Sequence, residues 1–524
     1  MYHGRIQKII SPLKEIQRYQ SVVAPPISTR KNEETQMSRP HLIVIMADQL
    51  RYDLIGSEHT PNINQLLSES TVFNRAYCAS PLCVPARGAF FTGQYPNTNG
   101  SLINPWEPSD AHHGHVKSGT PNLYSLLEQD WDSWHTGKQH LYTEDHQDKS
   151  PESKTHWQSL EKGYRPFLKQ HDKPTPGGAT YKGMMPEMAQ GRITRMRKYS
   201  IPTTGCYPEH LDYFFDGYIK NTSLEAIKNR DKNKPFMLNA MFLAPHPPLD
   251  IPEPFYSQVP SITLPENVGL WSAGQSPLQL YNLTGALGGR YTRQDWEEPW
   301  RVYAGLVALL DHCVGEIITQ LKTEGMYDDS LILFTADHGE MLGSHCLWQK
   351  MCMYEESVRT PTAFKLPKGM SGVAQNDTLI SHIDVLPTLC DLLDVEIPNT
   401  IQGTSLRHAI ETGKPIDRDH IFIQFDGNGA RGNFQRCLIQ QSQKLIVDLF
   451  KDETYFELYD IDNDPQEKYN LAFEQTDTVT NMTKILSNIM HDTQDLIQIP
   501  PNAYPHFLQD YKSYQQKEPH YPHP

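Results

Sequence analysis

Short apolar runs alternate with helix-spaced stripes along most of this chain. His41–Met46, Pro235–Leu243 and Ser330–Thr335 are nearly continuous runs of β-branched and large apolar side chains. Runs this short, without polar alternation, predict strands buried on both faces, as in a parallel sheet. Between them, Pro61–Glu69, Tyr213–Asn229 and Trp296–Lys322 carry apolar residues at helical spacing. In Thr120–Gln129, Leu123, Leu126 and Leu127 share one helical face. From Pro40 to about Leu393 this alternation predicts α/β architecture: an α/β/α sandwich whose mostly parallel central sheet is covered on both faces. Ile383–Leu393 reads as the helix that closes it.

The rhythm breaks twice. Thr143–Cys206 is rich in Lys, His, Gly and Pro and reads as an insertion over the edge where loops set specificity. Beyond about Ile416, His420–Phe425, Phe434–Gln440, Lys444–Leu449 and Tyr455–Asp460 predict an antiparallel sheet, followed by a helix near Thr478–Leu496. The resulting organisation is an amino-terminal extension (1–37), a large domain (38–415, with 143–206 inserted), a smaller carboxy-terminal α+β domain (416–499) and a tail (500–524). The tail either wraps the domain or packs on another subunit, so a homo-oligomer stays open.

Charge and composition narrow the function. The chain has 524 residues, with 47 Lys plus Arg against 62 Asp plus Glu, a net of −15. Nucleic acid is a poor main partner for such a surface, because phosphate binding needs a basic footprint. One local exception is Gly191–Lys198, where Arg195 and Arg197 belong to a cationic segment that either meets an anionic substrate or is simply solvated. The 8 cysteines are scattered and read as reduced thiols. No segment offers the roughly 20 continuous apolar residues that span a bilayer, so no membrane partner is expected. Met1–Gln36 lacks an apolar secretory core, with a possible helix at Ile6–Tyr19 and a linker at Val22–Gln36. The expectation is cytoplasmic, or periplasmic or secreted if the start is misassigned, Met37 being a second candidate.

The chemistry collects at predicted strand ends. The first run ends in Ala47-Asp48-Gln49 and the last in Ala336-Asp337-His338-Gly339-Glu340. Ligand sites of open α/β sheets gather at that edge, and two carboxylates, an amide and an imidazole suit a hard divalent cation. Four more elements accompany them: Cys83-Val-Pro-Ala-Arg87, Gly137-Lys138-Gln139-His140, Ala244-Pro245-His246 and Trp348-Gln349-Lys350.

In this order the motifs resemble the type I, formylglycine-dependent sulfatases of the alkaline phosphatase superfamily. Glu457-Leu-Tyr-Asp through Asn470-Leu471 resembles that family's carboxy-terminal stretch. The resemblance implies that Cys83 is oxidised to formylglycine (3-oxoalanine) by a formylglycine-generating enzyme, and that its hydrate attacks a sulfate ester. It places Asp48, Gln49, Asp337 and His338 as metal ligands together with residue 83. Gln49 and His338 stand where many members carry a second Asp and an Asn, which leaves Ca²⁺, Mg²⁺ and Mn²⁺ open. Arg87, Lys138 and Lys350 would stabilise the transition state. His246 with Lys350 would assist the leaving alcohol, and His140 would take the proton of the hydrate. Asn104, His345, Arg195 and Arg197 are the substrate-binding candidates. A carbohydrate sulfate, small or oligomeric, is the first choice of substrate. The alternatives are a phosphonate monoester or phosphodiester hydrolase of the same superfamily, a choline-sulfatase-like enzyme and a non-catalytic binder of sulfated glycans. The Lys138-x-His140 pair favours sulfate.

Overall fold

The computed structural model describes residues 39–105, 111–189, 192–259, 262–428, 432–451 and 453–515. The expected helix at Ile6–Tyr19, the linker after it and the last residues of the tail lie outside these.

The main strands are β1 (His41–Asp48), β2 (Thr71–Phe73), β3 (Asp132–Gly137), β4 (His156–Ser159), β5 (Lys182–Ala189), β6 (Arg192–Ser200), β7 (Phe236–Pro245), β8 (Ser330–Ala336), β9 (Thr362–Lys365), β10 (Gln375–Asn376), β11 (His420–Phe425), β12 (Phe434–Gln440), β13 (Gln443–Phe450) and β14 (Glu453–Asp460). The main helices are α1 (Pro61–Ser68), α2 (Cys83–Thr92), α3 (Leu160–Gln170), α4 (Phe215–Asn229), α5 (Glu297–Thr323), α6 (Val385–Leu392), α7 (Thr476–Asp492) and α8 (Ala503–Gln515).

Eight strands make the central sheet, in the order β10-β2-β9-β8-β1-β7-β3-β4. β1 runs parallel to β8 and β7, and β3 runs parallel to β7 and β4. β9 is antiparallel to both its neighbours. Period-two geometry explains the apolar run of β1. Ile43 and Ile45 enter the core under α4 and α5, while Leu42, Val44 and Met46 enter the opposite core with Phe90 and Phe91 of α2 and Leu386 and Leu389 of α6. Each such side chain, fully buried, is worth about 1.5–3 kcal/mol. Helix α5 is long and apolar enough to cross a membrane by length and composition, yet its apolar face packs into the first of these cores.

The carboxy-terminal sheet has the order β11-β12-β13-β14, fully antiparallel. One face (Ile421, Ile423, Cys437, Ile446) packs on Met351–Tyr354 of the loop after β8; the other (Phe422, Leu438, Val447, Phe456) is covered by α7 and α8. The tail, as far as it is described, wraps its own chain: Tyr504 and Phe507 of α8 close that second face.

Two expectations need correction. The segment 143–206 is more than an insertion, because β4 completes the central sheet and only the β5–β6 hairpin overhangs it. An edge strand with one neighbour needs no continuous apolar run, so Lys- and His-rich composition hid it. The helix expected over Thr120–Gln129 is present but shorter, Leu123–Leu127. Asn122 starts it late, with a capping box to Ser125.

Candidate active site

The register of β1 on β8 builds the centre of the site. Ala47 pairs with Ala336, and Asp337 N–H donates to Ala47 O at 3.1 Å, so Asp48 and Asp337 emerge side by side. Both are fully buried. Between them stands Arg87, one turn into α2. Its Nε donates to Asp337 Oδ2 and its Nη2 to Asp48 Oδ2, each at 3.0 Å. Helix α2 is buried along its whole length, which fixes Cys83, its first residue, at the floor of the site.

Gly137 explains how Lys138 reaches the same point. It has φ 92°, and a Cβ there would meet Met241 O at 2.0 Å, so only glycine lets β3 close on β7 at this bend. Lys138 N–H then donates to Met241 O, and its Nζ lies 2.5 Å from Asp48 Oδ2 and 3.7 Å from Cys83 Sγ. His246 is presented by a turn whose Leu243 and Ala244 N–H groups both donate to Asp216 Oδ1.

His338 Nδ1 lies 3.0 Å from Gly339 O, which can only accept, so that nitrogen carries the proton. Its Nε2 faces Cys83 Sγ at 3.2 Å; burial opposes charge on this ring, but Asp337 and Cys83 outweigh it and raise the imidazole above its ordinary value. One ligand atom each from Asp48, Cys83, Asp337 and His338 all lie within 4.8 Å of one another, and all four residues are buried. Arg87 and Lys138 occupy Asp48 Oδ2, while Oδ1 of the same carboxylate has Cys83 Sγ at 3.9 Å. Carboxylate oxygens and an imidazole nitrogen converging beside Cys83 fit a hard or borderline divalent cation.

Gln49 reaches this group differently from the expectation. Its amide oxygen accepts from Lys350 Nζ at 2.5 Å, and its Nε2 donates to Glu340 Oε2. Glu340 is the functional residue the sequence reading missed. Its other oxygen accepts the Leu342 and Gln349 N–H groups, so one carboxylate orients Gln49 and the loop that carries Lys350. The signal was present in Asp-His-Gly-Glu, a carboxylate two residues past His338.

Burial and charge set the protonation states. Burial pushes Asp48 up, but Lys138, Arg87 and Lys350 outweigh it and hold it well below the usual carboxylate range. Burial and Asp48 push the Cys83 thiol up; Lys138, Lys350 and His338 overcome them and lower it. Burial opposes charge on Lys138, yet Asp48 and Cys83 hold it above its ordinary value. Burial, then Lys138 with Arg87 at His140 and with Lys350 at His246, pull both histidines well below their ordinary value, so both rings are neutral. His246 Nδ1 is 2.6 Å from Pro247 O and therefore bears that ring's proton.

These residues line a cavity of about 470 Å³, within the roughly 300–1,000 Å³ of typical ligand pockets. Cys83, Lys138, His140, His246 and Lys350 come together there. Asn104 also lines it, though its carboxamide oxygen accepts the Val84 N–H and so secures the start of α2. Arg197 is on the wall, its guanidinium bonded to Asn428 O. The side chain of Arg195 lies outside the described residues.

His345 is a correction. It does not line the cavity; it is fully buried and stacked on Tyr354 with ring centroids 4.0 Å apart. Left-handed residues at Leu342, His345, Cys346, Gln349 and Met351 fold the loop back on itself, so nearness to Lys350 in sequence does not give a shared side.

Residues 40–395 match the protein family described as Sulfatase, and 343–495 match N-sulphoglucosamine sulphohydrolase, C-terminal. The chain is 25% identical over 471 residues to the arylsulfatase of Clostridium perfringens, spanning 86% of this chain and 94% of that one. It is 25% identical to the N-acetylglucosamine-6-O-sulfatase of Bacteroides thetaiotaomicron, over 84% of each. The crystal structure of the phosphonate monoester hydrolase of Agrobacterium radiobacter superposes with a TM-score of 0.69 at 22% identity, covering 87% of this chain and 96% of that one. At that identity it shows the shared fold.

Proposed function

Because this chain belongs to the sulfatase family, we propose that it hydrolyses a carbohydrate sulfate ester to the alcohol and inorganic sulfate, with oxidised Cys83 as nucleophile and one divalent cation, Ca²⁺, Mg²⁺ or Mn²⁺. The observation that carries the reading is Lys138, whose ammonium lies 3.7 Å from Cys83 Sγ in a cavity shared with His140. A sulfate monoester spreads one negative charge over its terminal oxygens, and a fixed ammonium beside the nucleophile stabilises that charge.

Oxidised and hydrated, position 83 supplies an oxygen nucleophile and a second hydroxyl, and a cation held by Asp48, Gln49, Asp337 and His338 would acidify the first and neutralise sulfate charge. Every other part of the work falls to ordinary side chains. Arg87 bridges Asp48 and Asp337 and keeps the two carboxylates in register without moving. Lys138 and Lys350 flank the cavity floor and stabilise the transferring sulfuryl oxygens as the bond from sulfur to the alcohol oxygen breaks. That oxygen leaves as the alcohol, taking a proton from Lys350 or from His246 Nε2 once the bound anion has charged its ring. His140, neutral in the free site, takes the proton of the second hydroxyl; sulfate and the aldehyde are released, and water restores the hydrate.

The test measures sulfate release from sulfated saccharides, 4-nitrophenyl sulfate and a phenyl phosphonate, with metal present and with formylglycine verified by mass, a loss of about 18 Da at position 83. Sulfate release that Cys83→Ala abolishes supports the reading. Faster phosphonate than sulfate ester hydrolysis would transfer it to the phosphonate hydrolases.

A further inference from the structure

The outer wall of the cavity has a composition the chemistry at its floor does not require. Lys138 and Lys350 stand at the floor, each already bonded to Asp48 or Gln49. Lys182, Arg197 and Lys198 of the β5–β6 hairpin line the wall as well, and no Asp or Glu joins them among the described lining residues. The chain as a whole carries −15. A cavity whose charged lining, among the described residues, is all cationic in so acidic a protein focuses a field toward anions.

We propose that Lys182 and Lys198, braced by Arg197, form a second anion subsite, so that the alcohol half of the substrate carries a further sulfate or carboxylate group. This inference rests on the sulfatase reading of the floor and names the substrate class: a saccharide unit with two negative groups.

Three observations carry it. The first is register. Lys182 pairs with Ser200 and Met184 with Lys198, so the two lysines are diagonal neighbours on one face of the ribbon. Ammonium groups so placed can both reach one bound anion, and among the described residues neither has a carboxylate partner. The second is rigidity. Trp348 Nε1 donates to Ser200 O at 2.7 Å, Tyr199 OH reaches Met351 Sδ at 3.6 Å, and Arg197 bonds Asn428 O. The hairpin is thereby fastened to the loop that carries Lys350, which sets both anion sites on one frame. The third is the surface between them: Tyr181, Tyr199 and Phe215 line the cavity and offer apolar ring faces to a sugar. A quaternary ammonium alcohol would meet three cations and no carboxylate on that wall, which argues against choline sulfate.

The experiment compares kcat/KM at low ionic strength for three esters: glucosamine 6-O-sulfate, its N-sulfated counterpart, and a disaccharide joining a 6-O-sulfated glucosamine to a uronic acid. One charge-assisted contact is worth about 10- to 100-fold. We expect that preference for at least one doubly anionic ester, its loss in 150 mM salt, and its collapse toward unity in the Lys182→Gln/Lys198→Gln double variant. The ester with the larger gain identifies the second group as sulfate or carboxylate. Equal kcat/KM for all three esters overturns the inference while leaving the sulfatase reading intact. If no ester, 4-nitrophenyl sulfate included, releases sulfate from metal-loaded protein with verified formylglycine, the sulfatase reading itself fails. The subsite is then read without turnover: calorimetric titration of Cys83→Ala should give about tenfold tighter binding of glucosamine N-sulfate than of N-acetylglucosamine, and equal binding sinks it.

Discussion

Two buried clusters in this chain look alike by composition and differ in what surrounds them. Asp48, Cys83, Asp337 and His338 form one; His345, Glu356 and Glu467 form the other, and in both the candidate ligand atoms lie within 4.8 Å of one another. The first opens on a cavity, and Arg87, Lys138 and Lys350 outnumber its carboxylates. The second is sealed between the loop after β8 and the carboxy-terminal sheet. There Glu355 and Glu467 share Lys444, whose ammonium lies 3.1 Å from Glu355 and 2.8 Å from Glu467, and Arg359 reaches Glu355 from the rim at 3.5 Å. Glu355 N–H donates to Glu467 Oε2, and Asn267 Nδ2 to Glu356 Oε1. Burial raises Glu467; Lys444 opposes this, Glu355 and Glu356 add to it, and its carboxyl is pushed up to about 8. Proximity of acids and a histidine therefore does not by itself mark a centre of chemistry. Surplus cations facing a cavity prepare a site for an anion, whereas surplus carboxylates sealed from solvent hold a proton and clamp two parts of the fold.

The sharpest break of this comparison is at the floor of the cavity. Replacing Lys138 and His140 together by hydroxyl residues should lower sulfatase kcat/KM by about a thousandfold or more, on the scale of losing two transition-state contacts, and lower phosphonate hydrolysis far less. Equal loss of both activities in folded, formylglycine-bearing protein would make the pair structural.

Metal removal comes next. Chelation should abolish sulfate release, and one of Ca²⁺, Mg²⁺ or Mn²⁺ should restore it at one equivalent per chain by elemental analysis. Activity that survives verified removal excludes a metal from the first cluster.

At the second cluster the order of effects should reverse. Lys444→Met leaves buried carboxylates without their cation and should cost about 3–5 kcal/mol in urea unfolding, while the protein that remains folded keeps its KM. A stability change under about 1 kcal/mol would deny the clamp.

The smallest effect is a slope. The folded state holds a proton on Glu467 at pH values where the unfolded chain, near its ordinary 4.5, has released it. Stability from this group is thus fully present below 4.5 and is lost as pH rises toward about 8. Glu467→Gln should flatten the fall of unfolding free energy across that window, by up to about 1.4 kcal/mol per pH unit. An unchanged slope assigns the proton elsewhere.

Sequence made some of this legible and concealed the rest for physical reasons. The runs that became β1, β7 and β8 were plain, because strands buried on both faces must be apolar throughout, and their ends located Asp48, Asp337 and His246. The antiparallel strands β11–β14 were equally plain. Strand order was hidden: β1 pairs with β7 and β8, both far along the chain, and no local pattern states that. Arg87 was recognised as cationic machinery, but its bridge between Asp48 and Asp337 exists only through that pairing. Glu340 was hidden because its partners are backbone N–H groups of a folded-back loop. His345 was misread for the same reason, since left-handed turns reversed the side it faces.

One separation carries a further consequence. Cys83 and His338 touch in the finished protein although they stand 255 positions apart along the chain. During synthesis at about 5–20 residues per second, the thiol precedes the strand that walls it in by roughly 13–50 s. Afterwards it is 2% exposed at the floor of the cavity. On the formylglycine reading, an enzyme that oxidised Cys83 would meet an open peptide on the nascent chain, with less than a minute before the thiol lies at the bottom of a folded cavity.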